Sequence, residues 1–287
     1  MTASGAALGA IDDALRATYR RDGVVCLRRL LGEPDLAEAR AAFEWSLANP
    51  SPSANTYAGG DGRFYQDLAN RKAQPAYREL VHTTPAADAV AALWNAPDVW
   101  FMYEQVFLKE GGDTRRTPWH QDASYLPVDG QQIAVAWISF DAVARESSLE
   151  FVRGSQLGPM YDGSAFDPAD DTAPIYGDGS LPRLPDIEAN RSAFEIVSFG
   201  VEPGDAIVFH PGLLHGGAAT KAGARRRTLS LRFFGADAQY AKRPFLTDQT
   251  IPEAKATSVF QLLSGRLKPG DAFRHPEFPS VRPRATR

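Results

Sequence analysis

The stretch "TPWHQDASY", Thr117 to Tyr125, places an imidazole two residues before a carboxylate. Side chains at i and i+2 of a β-strand point to the same face. A strand here would present His120 and Asp122 side by side, a nitrogen and an oxygen donor suited to a divalent metal with mixed ligands. A surface strand with a weak ion pair carries the same string, so the remaining donors must be sought elsewhere. There are five histidines: His82, His120, His210, His215 and His275. His82 ends "RELVH", where an imidazole suits the last carbonyls of a helix. His275 lies in a polar, Pro-rich tail. His210 and His215 share "PGDAIVFHPGLLHGGA", in which a turn feeds an apolar strand and Pro-Gly breaks it after His210. His215 opens a second short strand or turn, and its glycines let the backbone come close to something. Arg226 follows eleven residues later, at the start of "RRTLSLRF".

These types match one chemical requirement. A non-heme Fe(II) centre takes two histidines and one carboxylate on one face and leaves three positions open. A 2-oxo acid fills two of them through its carboxylate and ketone, leaving one for O2. Its far carboxylate calls for a planar, permanently charged, two-pronged partner, which arginine supplies and lysine does not. His120, Asp122 and His215 are therefore the candidate catalytic metal ligands and Arg226 the candidate anchor. Strand alternation turns Arg225 and Arg227 away from the face that Arg226 uses. His210 ends an apolar strand and has no arginine at the same spacing, so it takes a role in the core or behind the ligands.

Positioning such a set requires a rigid frame. At 287 residues, with 44% hydrophobic and 23% charged side chains, the chain can bury a sizeable core as a single domain. Its net charge of −4 offers no general attraction to a phosphate backbone, which argues against nucleic-acid binding. One cysteine, Cys26, excludes an internal disulfide and a Cys-based cluster, and a small core filler is its expected role. The first residues lack the pattern of a signal peptide and no run is apolar enough to span a membrane, so a cytoplasmic protein is expected. The front, about 1–98, reads as helical. Ile11, Leu15 and Tyr19 mark a first helix ended by Gly23, and Leu36, Ala39, Phe43 and Leu47 mark a second. A third is expected from Pro85, capped by Thr84. From about 99 to 240 the chain becomes a series of short β-rich runs between turn residues. Helices first and strands after predict a mainly β fold, a jelly-roll or barrel with flanking α-helices. Residues 158–191, rich in Gly, Pro and Asp, read as a lid-like insertion. Residues 241–287 form a C-terminal extension.

The H-Q-D string, "PGDAIVFHPGLLHGG" and the arginine eleven residues on resemble the phytanoyl-CoA dioxygenase family of Fe(II)/2-oxoglutarate oxygenases. "YRRDGVVCLRRLL" resembles that family's opening helix and strand. "SLEFVRGSQ" resembles its Pro-Gly-Ser-His strand end, with Arg153 and Gln156 in place of the proline and the histidine. The resemblance implies a double-stranded β-helix with Fe(II) and 2-oxoglutarate in the barrel mouth. It implies a hydroxylase that consumes O2 and releases succinate and CO2. Thr117 resembles a hydroxyl that bonds the co-substrate, though a turn residue before Pro118 explains it equally. Tyr103, Gln105, Phe107 and Lys109 share one strand face, and Gln105 is the candidate among them for binding 2-oxoglutarate. Trp137 is a candidate pocket wall. Arg115, Arg116 and Arg153 near the mouth suggest a small anionic or polar substrate, the alternative being solvated surface. A monomer or homodimer is expected. A zinc-type lyase or hydrolase on the same barrel, or a non-catalytic ligand-binding barrel, remains open at this point.

Overall fold

The computed structural model describes residues 7–57, 62–111, 115–167, 169–220, 223–244, 260–263 and 265–283. Helix α1 (Asp13–Asp22) starts at Asp12, whose carboxylate accepts from the Leu15 amide at 2.8 Å. It ends at Gly23, which sits at φ 77°, the left-handed conformation that favours glycine at a helix end. Ile11 lies ahead of that cap but is buried, as are Leu36, Ala39 and Phe43 of helix α2 (Glu33–Ala48). Between them runs strand β1 (Val24–Leu27), on which Cys26 is half-buried. Strands β2 (Asn55–Tyr57) and β3 (Arg63–Leu68) precede helices α3 (Gln74–Thr83) and α4 (Ala86–Trp94). Here the expected cap is on the wrong helix. Thr84 closes α3, its hydroxyl donating to the Leu80 carbonyl at 2.7 Å, and Pro85 starts α4.

The strand-rich remainder comprises β4 (Val99–Glu110), β5 (Thr117–His120), β6 (Val128–Asp129), β7 (Ile133–Ser139) and β8 (Leu149–Val152). It continues with β9 (Ile196–Ser198), β10 (Ala206–Phe209), β11 (His215–Gly217), β12 (Arg226–Phe234), β13 (Gln239–Tyr240) and β14 (Ser280–Arg282). A large antiparallel sheet runs β1-β10-β7-β12-β4-β3-β2, with β14 beside β4, and a second runs β5-β11-β8-β9. The strand β12 shows how the two faces divide. Leu229, Leu231 and Phe233 join the helices in one core, while Arg226, Thr228, Ser230 and Arg232 face a cavity. Val135, Trp137, Phe151, Phe209 and Leu213 fill the space beside that cavity. The result is a jelly-roll whose larger sheet is backed by helices, mainly β as the patterning predicts. No helix among the described residues is long and apolar enough to cross a membrane.

Candidate active site

Pairing of two short strands brings the histidines together. His215 of β11 lies opposite His120 of β5, with a register shift before Gly217 meets Thr117. The glycines make this approach possible. A Cβ on Gly217 would stand 3.1 Å from the Thr117 hydroxyl and 3.5 Å from Arg226 Nη2, and one on Gly216 3.0 Å from the Thr117 carbonyl. The imidazole centroids are 4.3 Å apart. His120 Nδ1 contacts the Pro118 carbonyl at 2.8 Å and His215 Nδ1 the Leu213 carbonyl at 2.9 Å. A carbonyl can only accept, so both Nδ1 atoms carry the proton and both Nε2 lone pairs are left for another partner.

The third donor is placed differently from the strand reading. β5 ends at His120, and Asp122 opens a 3₁₀ turn, Asp122–Tyr125. The turn swings the carboxylate toward both rings: Asp122 Oδ1 is 3.4 Å from His120 Nε2 and 3.8 Å from His215 Nε2. The donor atoms of His120, Asp122 and His215 all lie within 4.8 Å of one another. Bonds of about 2.0–2.2 Å to one divalent ion put adjacent donors about 3 Å apart, so small rotations close this set on a metal. Burial alone would raise the Asp122 carboxyl. The Arg232 guanidinium and the two imidazoles outweigh it and hold the group well below the usual carboxylate range. Burial and the neighbouring His120 push His215 down to about 4, which keeps it a neutral donor.

His210 is elsewhere. Its Nδ1 accepts from the Gly212 amide at 3.0 Å and its Nε2 donates to the Gly130 carbonyl at 3.1 Å, so neither nitrogen is left for a metal.

The same cavity, about 280 Å³, reaches Arg226. Arg226 is 6% exposed, and its guanidinium donates to the Ser147 and Ala218 carbonyls. Among the described residues no carboxylate lies within ion-pair distance, and burial pushes it down to about 10. Arg227 turns away to Asp141 at 2.8 Å and Arg225 is more than half exposed, so alternation selects Arg226 as expected. Opposite Arg226 in the β12–β4 register stands Lys109, 2% exposed. Its ammonium meets only neutral acceptors among the described residues, the Arg115 carbonyl at 3.1 Å and the Thr117 hydroxyl at 3.2 Å. Burial, then the charges of Arg226 and Arg116, lower it well below the ordinary lysine range. Two buried basic groups with no carboxylate beside them among the described residues suit an anion, whose charge would favour the protonated lysine.

Tyr103, Gln105, Phe107 and Lys109 all line the cavity, as does Trp137. Gln105 is not free for a co-substrate, however. Its carbonyl accepts from Arg232 Nη2 at 2.6 Å and its amide donates to Gln66 at 2.9 Å, so Lys109 is the member of that face beside Arg226. The mouth arginines are a second correction. Arg153 pairs with Glu195 at 2.5 Å and Asp22 at 3.6 Å. Arg116 pairs with Glu150 at 2.6 Å and lies over Trp119. Arg115 holds the Phe166 and Asp167 carbonyls and Asp171. None of the three lines the cavity. From the 158–191 segment Phe166 reaches in, 5.4 Å from the His120 ring and near Tyr57 and Tyr125. Tyr125 donates to the Ser164 carbonyl at 2.9 Å, pinning that segment. Arg232, which touches Asp122 directly, had no signal in the sequence, because only the folded register brings the two together.

The family model "Phytanoyl-CoA dioxygenase (PhyH)" matches residues 19–228. The human protein "Phytanoyl-CoA dioxygenase, peroxisomal" is 22% identical over 249 residues, covering 78% of this chain and 69% of that protein. Among solved structures, the "non-heme alpha ketoglutarate dependent carbocyclase SnoK from nogalamycin biosynthesis" superposes with a TM-score of 0.69. It is 22% identical and the match covers 96% of this chain and 98% of that one. "The epimerase SnoN in complex with Fe3+, alpha ketoglutarate and nogalamycin RO" also gives 0.69, at 23% identity over 97% of this chain and 100% of that one. At these identities the structural likeness carries the double-stranded β-helix fold.

Proposed function

Because the chain belongs to the phytanoyl-CoA dioxygenase (PhyH) family of Fe(II)/2-oxoglutarate-dependent oxygenases, we propose that it hydroxylates a compact, largely apolar-faced small molecule. One C–H bond of the substrate becomes C–OH. One oxygen atom of O2 enters the product and the other enters succinate, as 2-oxoglutarate loses CO2. The bound Fe(II) supplies O2 activation, and His120, Asp122 and His215 are the residues that hold it. Arg226, with Lys109 and the Thr117 hydroxyl, receives the far carboxylate of 2-oxoglutarate. The observation that carries this reading is one cavity with two unlike ends: a three-donor cluster at one, and at the other the buried Arg226 and Lys109, with no carboxylate partner among the described residues. A metal-dependent lyase has no use for the second end.

The substrate expectation changes with the geometry. Arg115, Arg116 and Arg153, which in sequence suggest an anionic or polar substrate, are engaged outside the cavity. Tyr57, Leu68, Tyr103, Tyr125, Leu126 and Phe166 are among the residues that line the rest of it, and they suit a substrate with an apolar or aromatic face. The reach of Phe166 toward His120 supports reading the 158–191 segment as a lid over that site.

Anaerobic titration of the Fe(II) protein with 2-oxoglutarate should raise a weak visible charge-transfer band. Succinate release is then measured across a panel of apolar, aromatic, acidic and CoA-linked compounds, with ¹⁸O2 label in the product. No band refutes the co-substrate assignment. A band with no succinate from any compound would favour a non-catalytic barrel.

A further inference from the structure

We propose that Arg232 is a positioning residue that holds Asp122 as a one-oxygen metal ligand, keeping open the coordination positions that the co-substrate and O2 need. Arg232 lies six residues past Arg226 on the same face of β12 and is 4% exposed. Its Nη2 donates to Asp122 Oδ2 at 2.8 Å and to Gln105 Oε1 at 2.6 Å. The other carboxylate oxygen, Oδ1, is the one that faces both imidazoles, at 3.4 and 3.8 Å. The two oxygens of Asp122 thus have separate partners, one toward the donor cluster and one toward a fixed cation.

The cation itself is immobilised from three sides. Its guanidinium carbon stands 4.7 Å from the centre of the Tyr103 ring. Gln105 is held through its amide by Gln66 Oε1 at 2.9 Å, and Gln66 donates in turn to the Tyr57 hydroxyl at 2.6 Å. A row of hydrogen bonds therefore runs from the carboxylate through Arg232, Gln105 and Gln66 to β2. Arg232 Nε and Nη1 are buried with no hydrogen-bond partner among the described residues. Leaving two donors unmet is unfavourable in a buried site. The guanidinium is retained there for what its engaged nitrogen does, which is to hold Asp122.

The consequence follows from counting positions. With Oδ2 tied to Arg232, Asp122 offers one oxygen, and with two imidazoles it fills three positions of six. The three left match a 2-oxo acid bound through two atoms plus O2. Released from Arg232, Oδ2 can turn to the metal and occupy a fourth position, in competition with 2-oxoglutarate.

The inference rests on the metal-ligand reading above, and the test separates the two. Co(II) is used as an air-stable probe, with affinity measured by calorimetry and the ligand field by visible absorption, before and after 2-oxoglutarate. R232M should weaken Co(II) binding about 10–100-fold, the usual effect of removing a group that orients a metal ligand. It should also alter the visible spectrum and weaken 2-oxoglutarate binding to the Co(II) protein. R232K, which keeps the charge but cannot hold both oxygen acceptors in one plane, should fall between R232M and wild type. Q105L should shift the spectrum in the same direction by less. If R232M does not fold, R232K and Q105L decide the matter. Wild-type affinity and spectrum in R232K and Q105L would overturn the role of Arg232 and leave the metal site standing. Undiminished Co(II) binding by H120A would overturn both.

Discussion

Replacing Arg226 by methionine should remove 2-oxoglutarate binding without weakening the ligand-free fold by more than about 1 kcal/mol, although a fully buried side chain is exchanged. Burial lowers the Arg226 guanidinium well below its ordinary value, to about 10. At about 1.36 kcal/mol per pH unit, keeping it charged in the fold costs roughly 3 kcal/mol. The sign follows from the direction. Below pH 10 the group is charged in both the folded and the unfolded chain, so the full cost is present at neutral pH. It is relieved only as pH rises above about 10, where the folded state loses its proton first. Methionine has similar length and no charge, so the substitution recovers that cost. Against it stand the bonds to the Ser147 and Ala218 carbonyls. Leaving two buried acceptors unmet costs about 1–3 kcal/mol each, and the two effects nearly cancel. The assay is denaturant unfolding of the Co(II)-loaded protein with and without 2-oxoglutarate. At a hundred times its Kd the ligand should stabilise wild type by about 2.7 kcal/mol, and R226M by nothing. A ligand-free loss above about 3 kcal/mol, or a ligand effect that survives in R226M, would refute the reasoning that an unneutralised cation waits there for an anion.

H120A, D122A and H215A should each abolish turnover and lower Fe(II) binding, whereas H210A should keep most of the iron, measured by metal content after gel filtration. Loss of iron from H210A but not H215A would reverse the assignment of the distal ligand. Glu104, 3% exposed and held by the Asn70 amide at 2.8 Å, is raised by burial to about 8. The unfolded chain ionises from about pH 4.5 while the folded one stays protonated, so wild-type stability should fall from pH 4.5 to 8 by on the order of 5 kcal/mol through this group alone. E104Q should be more stable than wild type by a margin that grows with pH over that range. A margin independent of pH in chemical denaturation would contradict it. Turnover in saturating chloride or bromide should still give the hydroxylated product by mass spectrometry, because Asp122 occupies the coordination position that a halide would need. A halogenated product from the unmutated protein would refute that.

The sequence by itself determined the donor types, which of three neighbouring arginines turns inward, and the fold class. These depend on patterns that are local in the chain. A period of two selects Arg226 over its two arginine neighbours, and Pro-Gly between His210 and His215 separates a core strand from a ligand-bearing one. Apolar stripes at helical spacing precede strands with a buried face. Tertiary structure decided the partners. Asp122 was legible as a ligand, but not the 3₁₀ turn that aims it. Arg116 and Arg153 looked like cations at a mouth until strands β8 and β9 and their flanks supplied Glu150 and Glu195 to neutralise them. Gln105 and Lys109 are four residues apart on one strand face, and only the register of β12 against β4 puts Lys109 opposite Arg226. Arg232 is 110 residues from Asp122 along the chain and 2.8 Å away in space. The charge of a side chain is written in its residue type, but whether that charge is free depends on what the fold buries beside it. At these strands that was set by register and turn geometry, which no short stretch of sequence encodes.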